Sequence, residues 1–538
     1  LIKGVVHQTN LYVFLVLFHI FGKPMQRLFF ILLLLPISCY AQVTWLPDSS
    51  FNGDGIYSFK TGKEGHAISL QSDNKILIAG NDDSCYLVRL HTNGSVDSSF
   101  GNNGYARWAR YSNDKHVLTE MTLQQDGKII IIGYTDTYDL FIARFNENGE
   151  LDSSFNGGYR IISSLDEEDY LPFDVVVLPD NKILVTGLLY YGGFFGSYTD
   201  LLLIRLNPDG SFDNTLSTDG QLSLNLSSEH NIPRAMEIQS DGKIVIGGYY
   251  MDGAFPEETD IYMELIRLNT DMTLDNSFSG DGVYKTKING TNCRVMDLQI
   301  TTSGKIVCAG YAVSNEEEVG YLLQLNSNGT NDETFGDNGV WLASDSASSN
   351  FRKLAIQDNK IYVTGELMNV YNNSSILLMC FNQEGVPDNT FGVNGLMILD
   401  NSNKDDVGFD LIIDPENHIV ICGGFAVGSN IGEMIALRVI HGNIKPDIIN
   451  IENPPIFVFP NPVSNLINLE ISLPLNTTIN VDLTDITGKV CNNLLQSAHY
   501  DRGIYTIALE IPESISPGNY FIHVTSEDYH YATMIFIK

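Results

Sequence analysis

The stretch that decides the fold is Asn93-Gly94-Ser95-Val96-Asp97-Ser98-Ser99-Phe100-Gly101, because versions of it recur along most of the chain. Its Asp-x-x-Phe core returns at intervals of roughly 50 to 60 residues. The copies are Asp48/Phe51, Asp97/Phe100, Asp152/Phe155, Asp275/Phe278, Asp332/Phe335 and Asp388/Phe391, with a degenerate copy at Asp213/Leu216. A repeat of this length indicates an array of similar supersecondary units.

Each unit between two copies predicts four short β-strands. After Phe100 these strands are expected over 105–111, 117–123, 128–133 and 140–146. The third follows an Asp-Gly turn, is wholly apolar and ends at glycine. It recurs seven times, at 75–80, 128–133, 182–187, 243–248, 305–310, 360–365 and 418–423. Four strands in each of seven units, with almost no helical periodicity, predict an all-β chain with a seven-bladed β-propeller over 42–445.

The physics of burial favours a closed ring, because one unit is too small to bury both faces of its sheet alone. The anchor Phe is predicted to fill the gap between adjacent blades. The glycine that ends the third strand is predicted to let neighbouring backbones approach where the blades crowd near the channel. The fourth strand contains Arg at 89, 144, 205, 267 and 438. We expect these arginines to pair with the motif Asp.

The two ends of the repeat array complement each other. The last Arg-containing strand, 435–440, is followed by no Asp-x-x-Phe, while an unattached copy, Asp48 to Phe51, lies near the N-terminus. This predicts that the N-terminal segment completes the last blade and closes the ring.

The N-terminal sequence predicts export. Residues 1–24 contain no methionine, and Met25-Gln26-Arg27 precedes the apolar run 28–35. A basic start, a short apolar core and a small residue are typical of a secretory signal peptide, here 25–41, cut between Ala41 and Gln42. Residues 1–24 are then upstream sequence or a disordered segment. The alternative is a helical hairpin anchor that uses the apolar run 11–21.

The repeat pattern stops at the C-terminal end. A linker with Pro454-Pro455 is expected over 446–456. Over 457–538, alternating short strands and Gly/Pro turns predict a small Ig-like β-sandwich. Its local motifs are Pro460-Asn461-Pro462, Gly488-Lys489, Gly518-x-Tyr520 and the terminal Lys538.

These motifs carry two family resemblances. The propeller region resembles the delta-60 repeat of bacterial surface and secreted proteins, which implies a fold but no particular activity. Residues 457–538 closely resemble the type A C-terminal sorting domain of the type IX secretion system of Bacteroidota. That resemblance implies export across the outer membrane, with the secretion machinery and its sorting peptidase as partners. It also implies removal of the domain, with release of the protein or attachment to surface lipopolysaccharide. The alternative is an ordinary Ig-like accessory domain.

Charge and motifs exclude several classes of protein. The formal net charge of −34 repels nucleic-acid phosphate, so no nucleic-acid partner is expected. The sequence contains no nucleophile elbow, phosphate-binding loop, HExxH motif or zinc spacing, so no cofactor is expected. Calcium binding at the acidic loops 52–55 and 279–282 stays open. In such loops Asp and Asn more often stabilise turns.

The insertion at 190–198 is the best candidate for binding. Its aromatic residues are Tyr190, Tyr191, Phe194, Phe195 and Tyr198, and exposed aromatics stack on sugar rings or anchor a protein partner. The alternative is a loop packed on its own blade.

The sequence therefore favours a secreted or cell-surface, non-catalytic propeller that binds a glycan or a protein. The rivals are a polysaccharide hydrolase or lyase with carboxylates at the channel mouth, and a structural surface-layer component.

Overall fold

The structure, a computed structural model, divides the chain into two compact units, with the division between Asn443 and Ile444. It describes residues 44–537 except 63, 82–83, 110–114, 164–167, 192–197, 227–229, 253–259, 315–316, 344–347, 369–372, 393–394, 400–404, 428–430, 443–455, 460–465, 474–476, 486–488, 501–502, 513, 517 and 527–529. The predicted signal peptide, its cut between Ala41 and Gln42, the segment 1–24 and most of the predicted linker therefore lie outside the described residues.

Seven antiparallel sheets form the first unit, which confirms the predicted propeller. The chain enters through β1 (Thr44–Pro47) and β2 (Ile56–Gly62). Blade 1 contains β3 (Gly65–Leu70), β4 (Ile76–Asn81), β5 (Cys85–Leu90) and β6 (Tyr105–Trp108). Blade 2 contains β7 (His116–Leu123), β8 (Ile129–Thr135), β9 (Leu140–Phe145) and β10 (Tyr159–Ile162), the last preceded by a short 3₁₀ turn at Asn156–Gly158.

The next four blades repeat this order. Blade 3 contains β11 (Glu168–Val177), β12 (Ile183–Tyr191), β13 (Tyr198–Leu206) and β14 (Gln221–Leu224). Blade 4 contains β15 (His230–Ile238), β16 (Ile244–Asp252), β17 (Asp260–Leu268) and β18 (Val283–Thr286). Blade 5 contains β19 (Cys293–Ile300), β20 (Ile306–Ser314), β21 (Glu317–Leu325) and β22 (Val340–Leu342). Blade 6 contains β23 (Ser349–Gln357), β24 (Lys360–Met368), β25 (Ser374–Asn382) and β26 (Leu396–Leu399).

Blade 7 joins the two ends of the ring. It contains β27 (Asp406–Ile413), β28 (Ile419–Val427) and β29 (Ile431–Gly442), and both β1 and β2 pair with β29. Ile56 lies opposite Leu437, and the backbone N–H of Asp48 donates to the carbonyl of Arg438 at 2.9 Å. The N-terminal segment thus supplies the outer strand of the last blade, as predicted from the unmatched ends.

The blades begin one strand later than the sequence units. The strand expected first after Phe100 is β6, which is the outer strand of blade 1. The anchor turn connects the third and fourth strands of one sheet, so the repeat and the blade have the same length but different starting points. A repeat pattern fixes a period along the chain, and only strand pairing fixes where a sheet begins.

The first strands of neighbouring blades contact one another and surround the axis. Each contains a bulge, for example between Leu118 and Glu120. A Cβ added to Gly133, which ends the apolar part of β8, would collide with the carbonyl of Val117 in the same blade. The glycine therefore lets a neighbouring backbone approach closely, as predicted, and that backbone is the first strand of its own blade.

The anchor phenylalanines fill the gaps between blades, as predicted. All six are fully buried: Phe51, Phe100, Phe155, Phe278, Phe335 and Phe391. Phe100 of blade 1 packs with Leu87 of its own blade and Ile129 of blade 2. A Cβ at Gly149, a blade 2 turn residue at φ +85°, would lie 2.8 Å from the Phe100 ring. The turn glycine thus makes room for the ring of the preceding blade.

The second unit is a two-sheet sandwich. One sheet contains β30 (Ile456–Phe459), β31 (Leu466–Leu473) and β34 (Gly503–Glu510). The other contains β32 (Thr477–Asp485), β33 (Val490–Tyr500), β35 (Gly518–Thr525) and β36 (His530–Ile537). Alternate residues of both sheets, such as Ile467, Leu469, Val481 and Ile522, form one core. Within the described residues, no helix is long and apolar enough to cross a membrane.

Candidate functional site: the channel and its mouth

The two ends of the propeller differ in what they contain. One end, here called the turn face, holds the turn between first and second strands and the turn between third and fourth strands. The other end, the loop face, holds the remaining connections, because antiparallel strands alternate in direction. First strands run from the loop face to the turn face.

The recurring arginine joins its own blade to the next one at the turn face. Arg89 Nε donates to Asp97 Oδ2 at 2.9 Å, and Arg89 Nη1 donates to the carbonyl of Glu147 in blade 2 at 2.7 Å. Its guanidinium lies 4.7 Å from the centre of the Phe100 ring. Because Arg144 and Arg267 make equivalent contacts, this cluster is structural, and the predicted Arg–Asp pairing is confirmed.

The motif aspartates are held in their charged form. Burial raises the pKa of Asp97, but hydrogen bonds from Ser99 and Lys75 and the charge of Arg89 together hold it well below its ordinary value. In the two blades where Gln324 and Cys380 replace the Arg, Lys305 and Lys360 still reach Asp332 and Asp388, at 2.5 and 2.8 Å.

The acidic loops proposed for calcium use their carboxylates within their own turns. Asp54 Oδ1 accepts the Ile56 N–H at 2.9 Å, and Asp281 Oδ1 accepts the Val283 N–H at 3.0 Å. Across the part of the chain that the structure describes, no group of three or more His, Cys, Asp or Glu residues is arranged to hold a metal. Calcium binding by this protein stays a prediction.

A charged layer crosses the centre of the ring. Lys353 Nζ of blade 6 lies 2.9 Å from Glu120 Oε2 of blade 2 and 3.8 Å from Asp297 Oδ1 of blade 5. Burial raises the pKa of Asp174 to about 8 and that of Asp410 to about 7, although the Lys353 charge opposes the shift. Since blades 2 and 6 lie on opposite sides of the axis, this ion pair spans the channel.

The same aspartates tie neighbouring first strands together. Asp174, Asp297 and Asp410 accept backbone N–H bonds from the next blade, at 2.6, 2.8 and 2.9 Å. The equivalent positions in the seven blades are Ala67, Glu120, Asp174, Ala235, Asp297, Lys353 and Asp410. Sequence reasoning missed this layer. The only sign of it in the sequence is this one position of the first strands, where acidic residues and a lysine stand in several blades in place of apolar residues.

A second group of side chains lies on the loop-face side of this layer, and we call it the channel mouth. Its members come from the start of the first strands, the late part of the second strands and the early part of the third strands. They are Glu64, His66, Phe173, Arg234, Tyr249, Arg294, Tyr311, Glu318, Arg352, Glu366 and Phe409.

Two arginines of the mouth are held by aromatic rings. The Arg294 guanidinium lies 5.2 Å from the ring centres of both Tyr249 and Tyr311. The Arg234 guanidinium lies 4.5 Å from the Phe173 ring and 5.7 Å from Tyr249. Among the described residues, no carboxylate lies within 4 Å of either arginine, and the buried Nε of Arg234 has no hydrogen-bond partner.

The third arginine of the mouth is paired. Arg352 Nη2 lies 2.7 Å from Glu366 Oε1, and its guanidinium lies 5.2 Å from the Phe409 ring. Burial raises the pKa of Glu64, Arg352 lowers it in part, and the charge of Glu366 raises it further. Burial and the same arginine lower the pKa of His66 to about 4, so its imidazole is neutral at pH 7.

The predicted ligand loop lies partly outside the described residues. Phe194 and Phe195 are not described, and Tyr198 begins β13. Tyr190 and Tyr191 end β12 and are half-buried. Tyr190 packs on the same small apolar cluster as Phe173 and Tyr249 of the mouth. The loop thus begins beside the mouth, and its role in binding stays a prediction.

The predicted sorting motifs are described only in part. Lys489 is exposed just before β33, Gly518 begins β35, and Tyr520 Oη donates to the Ser516 carbonyl at 2.8 Å. Pro460, Asn461, Pro462, Gly488 and Lys538 lie outside the described residues.

Comparison with family models identifies both parts of the chain. A domain of unknown function, the DUF5122 beta-propeller, matches residues 71–100, 124–155, 178–216, 239–278, 302–335 and 356–391. A secretion system C-terminal sorting domain matches 457–538. The chain therefore contains DUF5122 β-propeller repeats and a type IX secretion sorting domain, and the sorting domain directs it to the cell surface or the extracellular space. No curated protein matches the chain.

Several solved structures match parts of this chain at low identity and low TM-score. A protein of unknown function from Bacteroides caccae is 12% identical, with a TM-score of 0.30 over 54% of this chain and 90% of its own. Another, from Dyadobacter fermentans, is 10% identical, with a TM-score of 0.37 over 72% and 100%. The polysaccharide lyase Uly1 is 10% identical, with a TM-score of 0.40 over 70% and 90%. At these scores the likenesses carry no argument about function.

Proposed function

We propose that this exported propeller is a non-catalytic binding protein and that its ligand is a glycan held at the channel mouth. The observation that supports this most directly is the pair of Tyr249 and Tyr311 with the Arg294 guanidinium between them. Aromatic faces stack on sugar rings, and guanidinium N–H groups bond to their oxygens. Such a combination fits an exported protein that meets polysaccharides outside the cell.

The residues of the mouth do not follow the repeat. After the glycine that ends the apolar part of each second strand, blades 1 to 7 have Asn81, Tyr134, Leu188, Tyr249, Tyr311, Glu366 and Gly424. The seven interfaces between blades require nearly the same side-chain volume and polarity, so packing alone would favour one residue type at this position. A single ligand on the axis needs each contact only once. The variation therefore supports a binding role on this end of the ring.

A glycan array with the purified protein tests the proposal. We expect the protein to bind at least one glycan class, and Tyr249→Ala and Tyr311→Ala to remove that binding while the fold is retained. Tyr86→Ala is the matched control, since Tyr86 also supports an arginine, Arg107 at 5.2 Å, but on the outer part of blade 1. Binding that survives both mouth substitutions would contradict the proposal. Absence of glycan binding together with large self-assemblies in sedimentation would favour the surface-layer role instead.

One observation favours a second candidate, an extracellular polysaccharide hydrolase or lyase. Glu366 of blade 6 is close enough to Glu64 of blade 1 for its charge to raise the pKa of Glu64. His66, which is neutral at pH 7, lies near the same Arg352 that interacts with Glu64. A carboxyl group with a raised pKa is suited to donate a proton, and a neutral imidazole is suited to accept one.

Turnover decides between the two candidates. Incubation with a polysaccharide panel, followed by assays for new reducing ends and for unsaturated products, should show no cleavage by the wild-type protein. Cleavage that disappears in Glu64→Gln or Glu366→Gln would establish the enzyme and overturn the non-catalytic proposal. Attachment to surface lipopolysaccharide remains a proposal that rests on the sorting domain alone.

A further inference from the structure

We infer that the ligand of the channel mouth is an acidic polysaccharide, and that Arg234 and Arg294 receive the carboxylates of its hexuronate units. The inference rests on the proposed function, because it specifies the chemical class of the glycan bound at the same mouth. It is carried by the charge, orientation and surroundings of these two arginines.

The first argument concerns charge. The chain has 65 acidic and 31 basic residues, so a basic side chain finds a carboxylate partner easily. The turn-face arginines show this, with Arg144 and Arg205 at 2.7 and 2.6 Å from their aspartates. Arg234 and Arg294 have no such partner within 4 Å among the described residues. Glu318 is near enough that the charge of Arg294 opposes the rise in its pKa on burial. Because no described carboxylate bonds to either guanidinium, both keep N–H groups that can bond to an anion.

The second argument concerns orientation. Arg294 lies between two tyrosine rings, and Arg234 lies over Phe173 at 4.5 Å. Stacking fixes the plane of a guanidinium and leaves N–H groups on its edge for bonds to a carboxylate. In Arg234, Nη2 also donates a long hydrogen bond to Tyr249 Oη at 3.5 Å. Since aromatic rings rather than carboxylates hold these groups, they are ordered before the ligand arrives and lose little entropy on binding.

The third argument selects a sugar over an acidic peptide. In a hexuronate the carboxylate is attached directly to the sugar ring, so a suitable site has a guanidinium beside an aromatic face. The rings of Tyr249 and Tyr311 lie on either side of Arg294, so a sugar that places its carboxylate on this guanidinium also lies against aromatic carbon. An acidic peptide has its carboxylates on flexible side chains and gains nothing specific from the tyrosine faces.

Arg352 has a different part in this arrangement. Glu366 at 2.7 Å already neutralises it, so it is a positioning residue for Glu366 and for the neighbouring Phe409 ring. Substitution of Arg352 should therefore weaken ligand binding because Glu366 and the Phe409 ring are no longer held in position. The preference for acidic over neutral ligands should change little.

Calorimetry with matched ligands tests the inference. The probes are oligogalacturonate, alginate oligosaccharides and hyaluronan fragments, each beside a carboxyl-reduced form in which the acid is converted to a neutral hydroxymethyl group. We expect at least one acidic probe to bind, and its reduced form to bind at least about tenfold more weakly, because each lost bond to a charged group is worth a factor of this size. Poly-glutamate, the peptide probe, should not bind.

Substitutions then assign the effect to the two arginines. Arg294→Gln and Arg234→Gln should each weaken the acidic probe and bring its affinity close to that of the reduced form. Arg107→Gln is the control, since it removes the same charge from a stacked arginine outside the mouth and should change neither affinity. Equal melting temperatures of the variants establish that the fold is retained.

Each contrary outcome has a distinct meaning. If carboxyl-reduced or neutral glycans bind as tightly as the acidic ones, the acidic class is wrong while the glycan-binding proposal stands. If poly-glutamate binds as tightly as the hexuronates, the partner is an acidic protein and the inference fails. If no glycan of either kind binds the wild-type protein, the proposed function fails together with the inference.

Discussion

The turn face and the channel mouth are built on different principles, although the same strands form both. At the turn face most blades contribute the same three groups: an arginine, the aspartate that it bonds and the phenylalanine below it. At the mouth, Arg294 and Tyr311 of blade 5 correspond to Glu64 and Asn81 of blade 1. Repetition in this protein reflects packing, and departures from repetition mark the candidate site.

Ring geometry explains the difference. A seven-bladed ring has seven similar interfaces, so each imposes the same demand for volume and charge. It has only one axis, and a ligand on that axis contacts each blade differently. The comparison predicts large losses of stability at the turn face and small ones at the mouth, and it orders the experiments below.

The interface between blades 3 and 4 is an informative exception at the turn face. Leu216 replaces the anchor phenylalanine, and Met272 replaces the turn glycine that elsewhere makes room for the ring. Both lie in one apolar cluster between the blades, with Met272 only 3% exposed. The larger turn residue fills the space that the smaller anchor leaves, so the interface conserves volume rather than residue type.

The largest effect is expected for Phe100→Ala. The substitution leaves a cavity between blades 1 and 2 and removes the ring under Arg89, at an expected cost of about 3–5 kcal/mol in the free energy of unfolding. Denaturant unfolding measures this. Leu216→Ala at the half-buried equivalent is the matched control and should cost less. A Phe100→Ala protein with a normal transition would contradict the role of the ring between blades.

A smaller but more diagnostic effect is expected at the exceptional interface. Met272→Gly should cost about 1–3 kcal/mol, because the cavity it leaves outweighs the relief of backbone strain at φ +66°. Leu216→Phe should cost about 1–3 kcal/mol, because the ring meets Met272. Combined, the two changes restore the arrangement of the other interfaces, so the double variant should be more stable than either single variant. Additive losses in a double-mutant cycle would show that the two residues do not compensate each other.

The pH dependence of stability should have opposite signs at the turn face and at the channel centre. The turn-face aspartates, such as Asp97 and Asp152, have lowered pKa values, so their stabilisation is lost as the pH falls below the unfolded value of about 3.9. Asp174 and Asp410, with pKa values of about 8 and about 7, bind protons more readily in the folded chain. Their protonation stabilises the fold as the pH falls from about 8 toward 4.

Unfolding measured between pH 8 and pH 3 should therefore show a rise in stability followed by a fall. Reduced self-repulsion of the acidic chain contributes to the rise as well, so the readout is a comparison with Asp174→Asn. This variant cannot take up the proton and should show a flatter rise. The same slope in both proteins would mean that Asp174 does not titrate with a raised pKa.

The smallest effect on stability is expected at the mouth. Arg294 is half-buried and has no carboxylate partner among the described residues, so Arg294→Gln should change the free energy of unfolding by less than about 1 kcal/mol. Denaturant unfolding beside Phe100→Ala compares the two ends directly. A loss at Arg294 as large as that at Phe100 would remove the distinction between a structural end and a binding end.

Features that depend on neighbours along the chain could be predicted from the sequence. The apolar runs, the Asp-Gly turns and the Asp-x-x-Phe anchors are local patterns, and their number gave the strands, the seven blades and the buried Phe100. The unmatched Asp-x-x-Phe copy at Asp48 also predicted how the ring closes. The last blade lacks this motif after its third strand, so the N-terminal copy was expected to supply it.

Features that depend on contacts across the ring became visible only in the folded protein. Lys353 and Glu120 lie 233 positions apart, and no local pattern indicates that they meet on the axis. The grouping of Arg234, Arg294 and their aromatic partners likewise depends on the bulge in each first strand and on the angle between blades. The bulge and the angle between blades depend on how complete sheets pack, whereas a sequence repeat indicates only the packing that all blades have in common.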